Sequence, residues 1–312
     1  MRTRRGDSSL PATRRGDDNG VNTTILSEIA AEIINQNAEF VIFTGDLING
    51  NTSSQVVMES QFTTWRNTMQ PVYDAGIGVH ICRGNHDDDN VAVWNNIFGD
   101  LPDNGPAGEI NMTYSVTHKN AFVVALDQYV TPHRVNQTWL DAQLAANTNP
   151  HIFAFAHETA FHVYHTGGQE TYPAERDAFW NSIAGAGGRT YFCGNDHFYN
   201  HAHVDDGDGN PDNDVHQLVV ATAGAPLYDW DGEYDGNNTT FTLENVFHAK
   251  QYGYVLFEID GLDVTTTWME RTGAGTYEAG NVWSYTAIPE PVKLSLLGVG
   301  AFTLIRRRRQ KS

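Results

Sequence analysis

Four short apolar runs, each followed at once by a polar cluster, restrict the fold of this chain more than any other feature. Runs of four to eight apolar residues bounded by Gly and Asp predict buried strands. Polar side chains at the carboxyl ends of such strands lie in the crevice where open α/β sheets bind ligands. We therefore expect four loops to meet at one site. The runs are Phe40–Thr44, Gly78–Cys82, His151–Ala156 and Thr190–Cys193.

The polar clusters have the residue types of a metal centre. They are Gly45-Asp46, Gly84-Asn85-His86-Asp87, His157 and Gly194-Asn195-Asp196-His197. Carboxylate, amide oxygen and neutral imidazole suit Mn, Fe and Zn. Two such ions lower the pKa of a bridging water and hold the oxygens of a phosphoryl group during its displacement. A histidine that binds no metal can protonate the departing oxygen.

In order and spacing, these clusters resemble the motifs of the calcineurin-like metallophosphoesterase superfamily, over roughly residues 21 to 260. That family reads D-x-H, GD, GNH followed by D or E, a lone His, and GHxH, each after a strand. The resemblance implies a hydrolase that binds two divalent ions (Mn, Fe or Zn) and cleaves phosphate mono- or diesters with a metal-activated water. It also implies an α/β (α+β) fold, a four-layer sandwich in which helices flank two mixed β-sheets.

The resemblance assigns a role to each of five residues. Asp46 would bridge the two metals, and His197 would bind the first of them. Asn85 and His157 would bind the second metal. His86 would be the general acid or a phosphate contact.

Two departures from the family pattern weaken the implied site. No D-x-H precedes Gly45, and residues 1–20 show no strand pattern, so we interpret them as an irregular segment from a truncated or miscalled start. A real loss of the first metal site is the alternative. In addition, GHxH reads GNDH, which places Asn195 where the family has a second-metal His. Asn195 is thus a candidate metal ligand through its amide oxygen, weaker than imidazole for Zn or Fe. His201 and His203 lie downstream, but a displacement of four residues rarely preserves ligand geometry.

These departures leave two functions open. The first is a two-metal phosphoesterase that these departures could impair, with two ions bound or only one of them in this chain. The second is a non-catalytic pseudoenzyme of the cell envelope that binds a metal or an anion. An in-frame D-x-H strand upstream would favour the enzyme.

The C-terminal residues 289–312 form a separate motif. Pro289-Glu290-Pro291 precedes the apolar run Leu294–Ile305 and the cationic cluster Arg306–Arg309. The run would rise about 18 Å as a helix, and a stable membrane span needs ~20 residues. The segment resembles the PEP-CTERM sorting tail of exported bacterial proteins. It implies a cell-envelope or extracellular location and a sorting machinery as partner, although no signal peptide is visible in residues 1–30.

The charge distribution bears on the partners of the domain. Residues 21–288 carry 8 Lys or Arg against 34 Asp or Glu, and the whole chain has a net charge of −19. Such a surface repels nucleic acid, so we expect no stable nucleic-acid partner. A small phosphate ester is the expected substrate, and the sequence carries no signature of an oligomeric state.

The segment 205–214 is dense in oxygen ligands, and its alternation of Asp, Asn and Gly is typical of calcium loops. It lacks the EF-hand spacing and the terminal Glu, so a solvated acidic turn is the alternative. The candidate calcium ligands are Asp206, Asp208, Asn210, Asp212 and Asp214.

The remaining patterns place elements around the site. Helices are predicted at 23–37 (with Thr23 or Thr24 as the cap), 54–70, 137–147 and 173–185, and late strands at Gln217–Thr222, Gly253–Ile259 and Asp263–Glu270. Cys82 and Cys193 give no disulfide framework and are predicted as small buried side chains. Five further histidines are predicted at the surface or behind the metal ligands: His118, His133, His165, His216 and His248.

Overall fold

The structure, a computed structural model, describes residues 20–234 and 240–287. The predicted sorting tail and the interpretation of residues 1–19 therefore lie outside the described residues. Within the two described ranges, no helix combines the length and the apolar character that a membrane crossing requires.

The described ranges contain five α-helices: α1 (Thr23–Asn35), α2 (Gln55–Asp74), α3 (Val91–Ile97), α4 (Gln137–Ala146) and α5 (Pro173–Gly185). Four of them match the predicted segments. Helix α3 was missed, because seven residues are too few to show a helical period. The predicted cap of α1 was wrong: the side chain of Asn22, not of Thr23 or Thr24, accepts a hydrogen bond from the Ile25 N–H.

Twelve strands lie in the described ranges: β1 (Phe40–Phe43), β2 (Gly78–Ile81), β3 (Tyr114–His118), β4 (Ala121–Ala125), β5 (His151–Phe155), β6 (Thr190–Cys193), β7 (Tyr199–Asp205), β8 (Val215–Val220), β9 (Thr242–Ala249), β10 (Gly253–Asp260), β11 (Asp263–Gly273) and β12 (Thr276–Thr286). Seven of them form one mixed sheet in the order β3-β4-β5-β6-β8-β7-β9. Its centre, from β4 to β8, is parallel, and its outer pairs are antiparallel. Strands β4 and β5 are buried at every position, which explains why all their residues except His151 are apolar.

The second sheet layer consists of two parts. Strands β1 and β2 form a parallel pair, and β10, β11 and β12 form an antiparallel sheet. The ring of Phe257 on β10 packs edge-on against Phe153 and Phe192 of the seven-stranded sheet, with centroids 5.5 and 4.9 Å away. Farther along, Tyr199 stacks on Trp268 at 4.2 Å. These contacts lay the three-stranded sheet on the inner face of the large one.

Helices cover both outer faces. On the first side, α1 and α2 share an apolar core with β1, β2 and the inner face of the large sheet. On the second side, α4 and α5 pack on the outer face of β4, β5 and β6. Helix α1 also reaches the antiparallel sheet, since Arg271 pairs with Glu28 and the Tyr254 hydroxyl donates to Glu32. The predicted α/β sandwich with helices outside and sheets inside is confirmed.

Both cysteines are unpaired and fully buried. Burial raises the pKa of each thiol well above its ordinary value. Their side chains contribute to packing, as predicted.

Candidate metal centre

The glycines of the first two motifs are required by close packing between loops. Gly45 has φ +85°, and a Cβ there would stand 2.8 Å from His157 Nδ1 and 2.7 Å from the Gly84 nitrogen. A Cβ on Gly84 would overlap Asp46 itself. The loops that follow β1 and β2 therefore touch each other and the end of β5, as the sequence pattern predicted.

Three ligand atoms converge where these loops meet. Asn85 Oδ1 lies 3.2 Å from His157 Nε2, and Asp46 Oδ1 lies 3.5 Å from the same nitrogen. His157 Nδ1 donates to the Thr44 carbonyl at 2.7 Å, which leaves a lone pair on Nε2. Three lone-pair atoms that face one another repel unless a cation lies between them. The donor set of carboxylate, amide oxygen and imidazole therefore fits a divalent metal ion.

His86 stands beside this group on the solvent side. Its Nδ1 donates to the Asn49 carbonyl at 2.5 Å, and its Nε2 lies 3.9 Å from Asp46 Oδ2. Its backbone N–H donates to Asp46 Oδ1 at 3.0 Å. The imidazole is thus held between the Asn49 carbonyl and the Asp46 carboxylate.

His197 and Asn195 line the same cavity as Asp46 and His157. His197 Nδ1 donates to the Pro226 carbonyl at 2.8 Å, and its ring stacks on Tyr228 at 4.3 Å. Its orientation is thus fixed in the same way as that of His157.

The ligand atoms of Asp46, His157 and His197 are not all close together. In the part of the chain that the structure describes, the group of three Asp, Glu, His or Cys with ligand atoms within 4.8 Å of one another is Asp205, Asp206 and Asp214. The position around Asp46, Asn85 and His157 is therefore more nearly assembled than the position that His197 would serve.

The suggested substitutes for the missing imidazole are engaged elsewhere. His201 and His203 lie on β7, where His201 Nε2 bonds to His216 and His203 Nε2 bonds to Asp214. Asn195 itself has φ +64°, a left-handed conformation that Asn tolerates better than most residues. Neither histidine can replace an imidazole at position 195.

A family model described as calcineurin-like phosphoesterase matches residues 19–238, more than half of the chain. The chain belongs to the calcineurin-like phosphoesterase family. The match confirms the resemblance inferred from the motifs. No curated protein matches the chain by sequence.

Solved structures show the same phosphoesterase fold at low sequence identity. The purple acid phosphatase PPD1 from yellow lupin (Lupinus luteus) seeds has a TM-score of 0.64 at 14% identity, over 85% of this chain and 49% of that one. A structure of PhoD gives 0.63 at 11%, over 87% and 68%. GAP50, described as the anchor in the inner membrane complex of Plasmodium, gives 0.59 at 13%, over 87% of both chains. This chain thus spans about half the length of the lupin phosphatase.

A buried polar group next to the candidate metal site was not predicted. Arg83 and Asp127 form a bidentate ion pair at 2.7 and 3.0 Å, and both side chains are almost fully buried. Gln128 Oε1 accepts the backbone N–H groups of His157 and Glu158. Asp127 and Gln128 follow the apolar strand β4. The rule that polar residues directly after an apolar run belong to the site would therefore have found them.

Two of the remaining histidines lie beside the site. His133 Nδ1 is 2.9 Å from Glu158 Oε1, and burial raises the pKa of that carboxyl to about 7. His165 donates from Nδ1 to the buried Asp196 at 2.7 Å. Asp196, the third residue of the GNDH motif, therefore holds the His165 loop.

The other three histidines lie away from the site. His118 is at the surface beside Glu39, as predicted. His216 is buried on β8, where it bonds to His201, so the surface alternative of its prediction was wrong. His248 packs on Phe198 and Trp230.

The candidate calcium segment is only partly assembled. The structure groups Asp206 and Asp214 with Asp205, which was not among the predicted ligands. The other three candidates, Asp208, Asn210 and Asp212, lie outside that group. Asp208 Oδ1 accepts the Asn210 N–H at 2.6 Å, which is the pattern of a polar turn.

Proposed function

We propose that this family member hydrolyses phosphate mono- or diesters with a metal-activated water. The observation that carries the proposal is the convergence of Asp46 Oδ1, Asn85 Oδ1 and His157 Nε2 at the carboxyl ends of three strands. A bound divalent ion there would supply a water of lowered pKa and charge for the phosphoryl oxygens. Mn, Fe or Zn is the expected ion. The family pattern provides positions for two such ions, and the position around Asp46, Asn85 and His157 is the better assembled of the two in this chain.

His86 is placed to act as the acid. Its Nδ1 is committed to the Asn49 carbonyl, so the proton that it can deliver lies on Nε2. That atom lies 3.9 Å from Asp46 Oδ2, so it is directed toward the candidate metal position where the ester would bind. Asn85 beside it is exposed, so a small ester can approach without any rearrangement of the buried His157.

The region beside His197 suits a flat leaving group. Tyr228 stacks on His197, and Tyr164 stacks on Tyr228 at 5.4 Å with an angle of 25° between rings. Tyr164 is substantially exposed. Aromatic faces of this kind favour stacking with an aryl group, which makes aryl phosphates suitable test substrates.

A non-catalytic metal- or anion-binding protein of the cell envelope is the second candidate. It is favoured by the incomplete approach of His197 to the other ligands and by Asn195 in place of an imidazole. The Plasmodium neighbour GAP50 is described as an anchor, so the fold alone does not select catalysis.

The test combines metal analysis with kinetics on para-nitrophenyl phosphate and its bis ester, after reconstitution with Mn, Fe or Zn. We expect Asp46→Asn to lose both metal and activity. His86→Ala should keep the metal and lose about 10²-fold or more in rate, since it removes only the proton donor. Asp260→Asn, at an exposed position, and His118→Ala, at a partly exposed one beside Glu39, are the matched controls.

Three results would count against the proposal. Turnover of neither ester by metal-loaded protein would favour the non-catalytic candidate. Equal metal loss in the Asp46 and His86 variants would contradict their separate roles. Activity without metal that survives Asp46→Asn would exclude this site altogether.

A further inference from the structure

One buried side chain holds the backbone at the candidate ligand His157. Gln128 is fully buried in the loop that follows β4. Its Oε1 accepts the N–H groups of His157 at 3.0 Å and of Glu158 at 2.7 Å. An amide oxygen has two lone pairs, so these two hydrogen bonds use its full accepting capacity. The position of this oxygen therefore sets where the chain leaves β5.

The side chain of Gln128 extends the ladder between two parallel strands. In the described structure, the backbone ladder between β4 and β5 ends with the bond from the Leu126 N–H to the Phe155 carbonyl at 3.0 Å. The next N–H on that side of a parallel strand belongs to His157, two residues farther on. It bonds to the Gln128 side chain in place of a backbone carbonyl. The ladder thus reaches the residue that carries the candidate ligand atom.

Two further segments hold His157. Its Nδ1 donates to the Thr44 carbonyl after β1 at 2.7 Å, and its own carbonyl accepts the Gly194 N–H after β6 at 2.8 Å. Thr44 orients the ring, whereas Gln128 places the backbone that carries it. The remaining ring atom, Nε2, faces the other candidate ligands. A displacement of the His157 backbone would therefore move a ligand atom.

The orientation of the Gln128 amide is itself fixed by a buried hydroxyl. The Tyr191 hydroxyl donates to the Glu158 carbonyl at 2.6 Å and accepts from Gln169 Nε2 at 3.2 Å. Gln128 Nε2 lies 3.5 Å from the same hydroxyl oxygen. The amide oxygen thus faces two N–H groups and the amide nitrogen faces a hydroxyl. Rotation of the amide would break hydrogen bonds at both ends, since all three polar side chains are buried.

We propose that Gln128 is a positioning residue of the candidate metal centre. It sets the place of His157 Nε2 and, through it, the affinity for a divalent ion. The inference rests on the metal site of the proposed function, and it does not depend on hydrolysis. Groups that orient a metal ligand typically contribute about 10–100-fold to metal affinity. An apolar side chain at position 128 would leave the N–H groups of His157 and Glu158 without this acceptor.

Gln217 provides a matched comparison within the same loop. It is fully buried on β8, and its amide accepts the Phe161 N–H and donates to the Phe161 carbonyl, each at 2.9 Å. Each glutamine thus makes two hydrogen bonds to the backbone of the segment that follows β5. Gln217→Met and Gln128→Met remove the same kind of contact, but Phe161 carries no ligand atom.

Isothermal titration of the full chain with Mn or Zn measures the affinity. We expect Gln128→Met to bind the ion about 10–100-fold more weakly than the wild type, and Gln217→Met to bind within about threefold of it. Urea unfolding of the metal-free variants shows that each is folded and compares their stabilities. If Gln128→Met does not fold, Gln128→Asn takes its place, because it keeps the amide but withdraws the oxygen by one methylene. Gln217→Asn is then its control.

Hydrogen exchange of the metal-free protein gives a second readout that needs no ion. We expect the His157 and Glu158 amides to exchange about tenfold faster in Gln128→Met, with the Phe161 amide unchanged. Gln217→Met should give the reverse pattern. This crossed result separates a local effect at His157 from a general loss of stability.

Three results would overturn the role of Gln128. They are unchanged metal affinity in Gln128→Met, an equal loss of affinity in Gln217→Met, and unchanged exchange at His157. Each of them leaves the proposed hydrolase standing. A wild type that binds neither Mn nor Zn would overturn the metal centre itself, and both proposals with it. Metal binding without ester hydrolysis would overturn only the hydrolase.

Discussion

Acid should destabilise this protein through a buried histidine pair on β7 and β8. His201 Nδ1 donates to Asn281 Oδ1 at 3.1 Å, so its Nε2 must accept from His216 Nδ1 at 2.8 Å. Trp283 covers His216 at 4.0 Å. A second proton on His201 would set two N–H groups against each other, so both rings are held neutral.

The size of the effect follows from the pKa values. Burial lowers the pKa of His201 from 6.5 to about 4 and that of His216 to about 2. The unfolded chain takes up protons near pH 6.5, whereas the folded chain does not. Stability is therefore complete above pH 6.5 and is lost as the pH falls from 6.5 toward 4. At about 1.4 kcal/mol for each pH unit, His201 alone accounts for a loss of about 2 kcal/mol at about pH 5.

The contribution of His216 cannot be added in full, because the two rings share one interaction. His203 and Arg189 also lower the pKa of His216 by charge repulsion. The loss of unfolding free energy expected from His201 alone is therefore the quantity to test.

Urea unfolding, followed by tryptophan fluorescence at about pH 7.5 and about pH 5, measures the loss directly. The comparison is wild type against His201→Gln, which keeps a side-chain oxygen for His216 but cannot titrate. We expect the free energy of unfolding to fall by about 2 kcal/mol more in the wild type than in the variant. His118→Gln, at an exposed site, should follow the wild type. A fall in His201→Gln that equals the wild-type fall would refute the reasoning.

Three other predictions concern separate parts of the chain. Arg83→Ala should lower the free energy of unfolding by about 3–5 kcal/mol, because it leaves Asp127 buried and unpaired. Arg66→Ala, which removes the more exposed ion pair with Asp100, should lower it by about 1 kcal/mol or less. Asn195→His should bind Zn or Mn more tightly by isothermal titration, because imidazole replaces an amide; weaker binding would mean that the loop cannot place the ring. Mass spectrometry of protein from its native host should show that residues 289–312 have been removed, and an intact tail in a cytoplasmic fraction would contradict the sorting proposal.

Sequence reasoning located the site because its signal is local. Gly45 and Gly84 are needed by loops that nearly touch, and the apolar runs before them are the short, partly buried strands β1 and β2. The types of residue at Asp46, Asn85 and His157 then suffice to predict a metal centre. The structure brings these three together as expected.

What the sequence did not show depends on contacts between distant segments. Strands β7, β9 and β12 mix polar and apolar residues, so their periodicity is weak. Neither the division of the second layer into two parts nor the burial of His216 can be predicted from periodicity, because each depends on strands far apart in the chain. The separation of His197 from the other ligands likewise depends on the position of a whole loop.

The three histidines of the site are oriented by hydrogen bonds that do not depend on the identity of the neighbouring side chains. His86, His157 and His197 each donate from Nδ1 to a backbone carbonyl, and those carbonyls belong to Asn49, Thr44 and Pro226. A carbonyl is present whatever side chain a residue carries, so point mutations at the supporting positions leave the imidazoles oriented. Evolution can thus change the surroundings of this centre, and with them its selectivity, without first losing the geometry of its ligands.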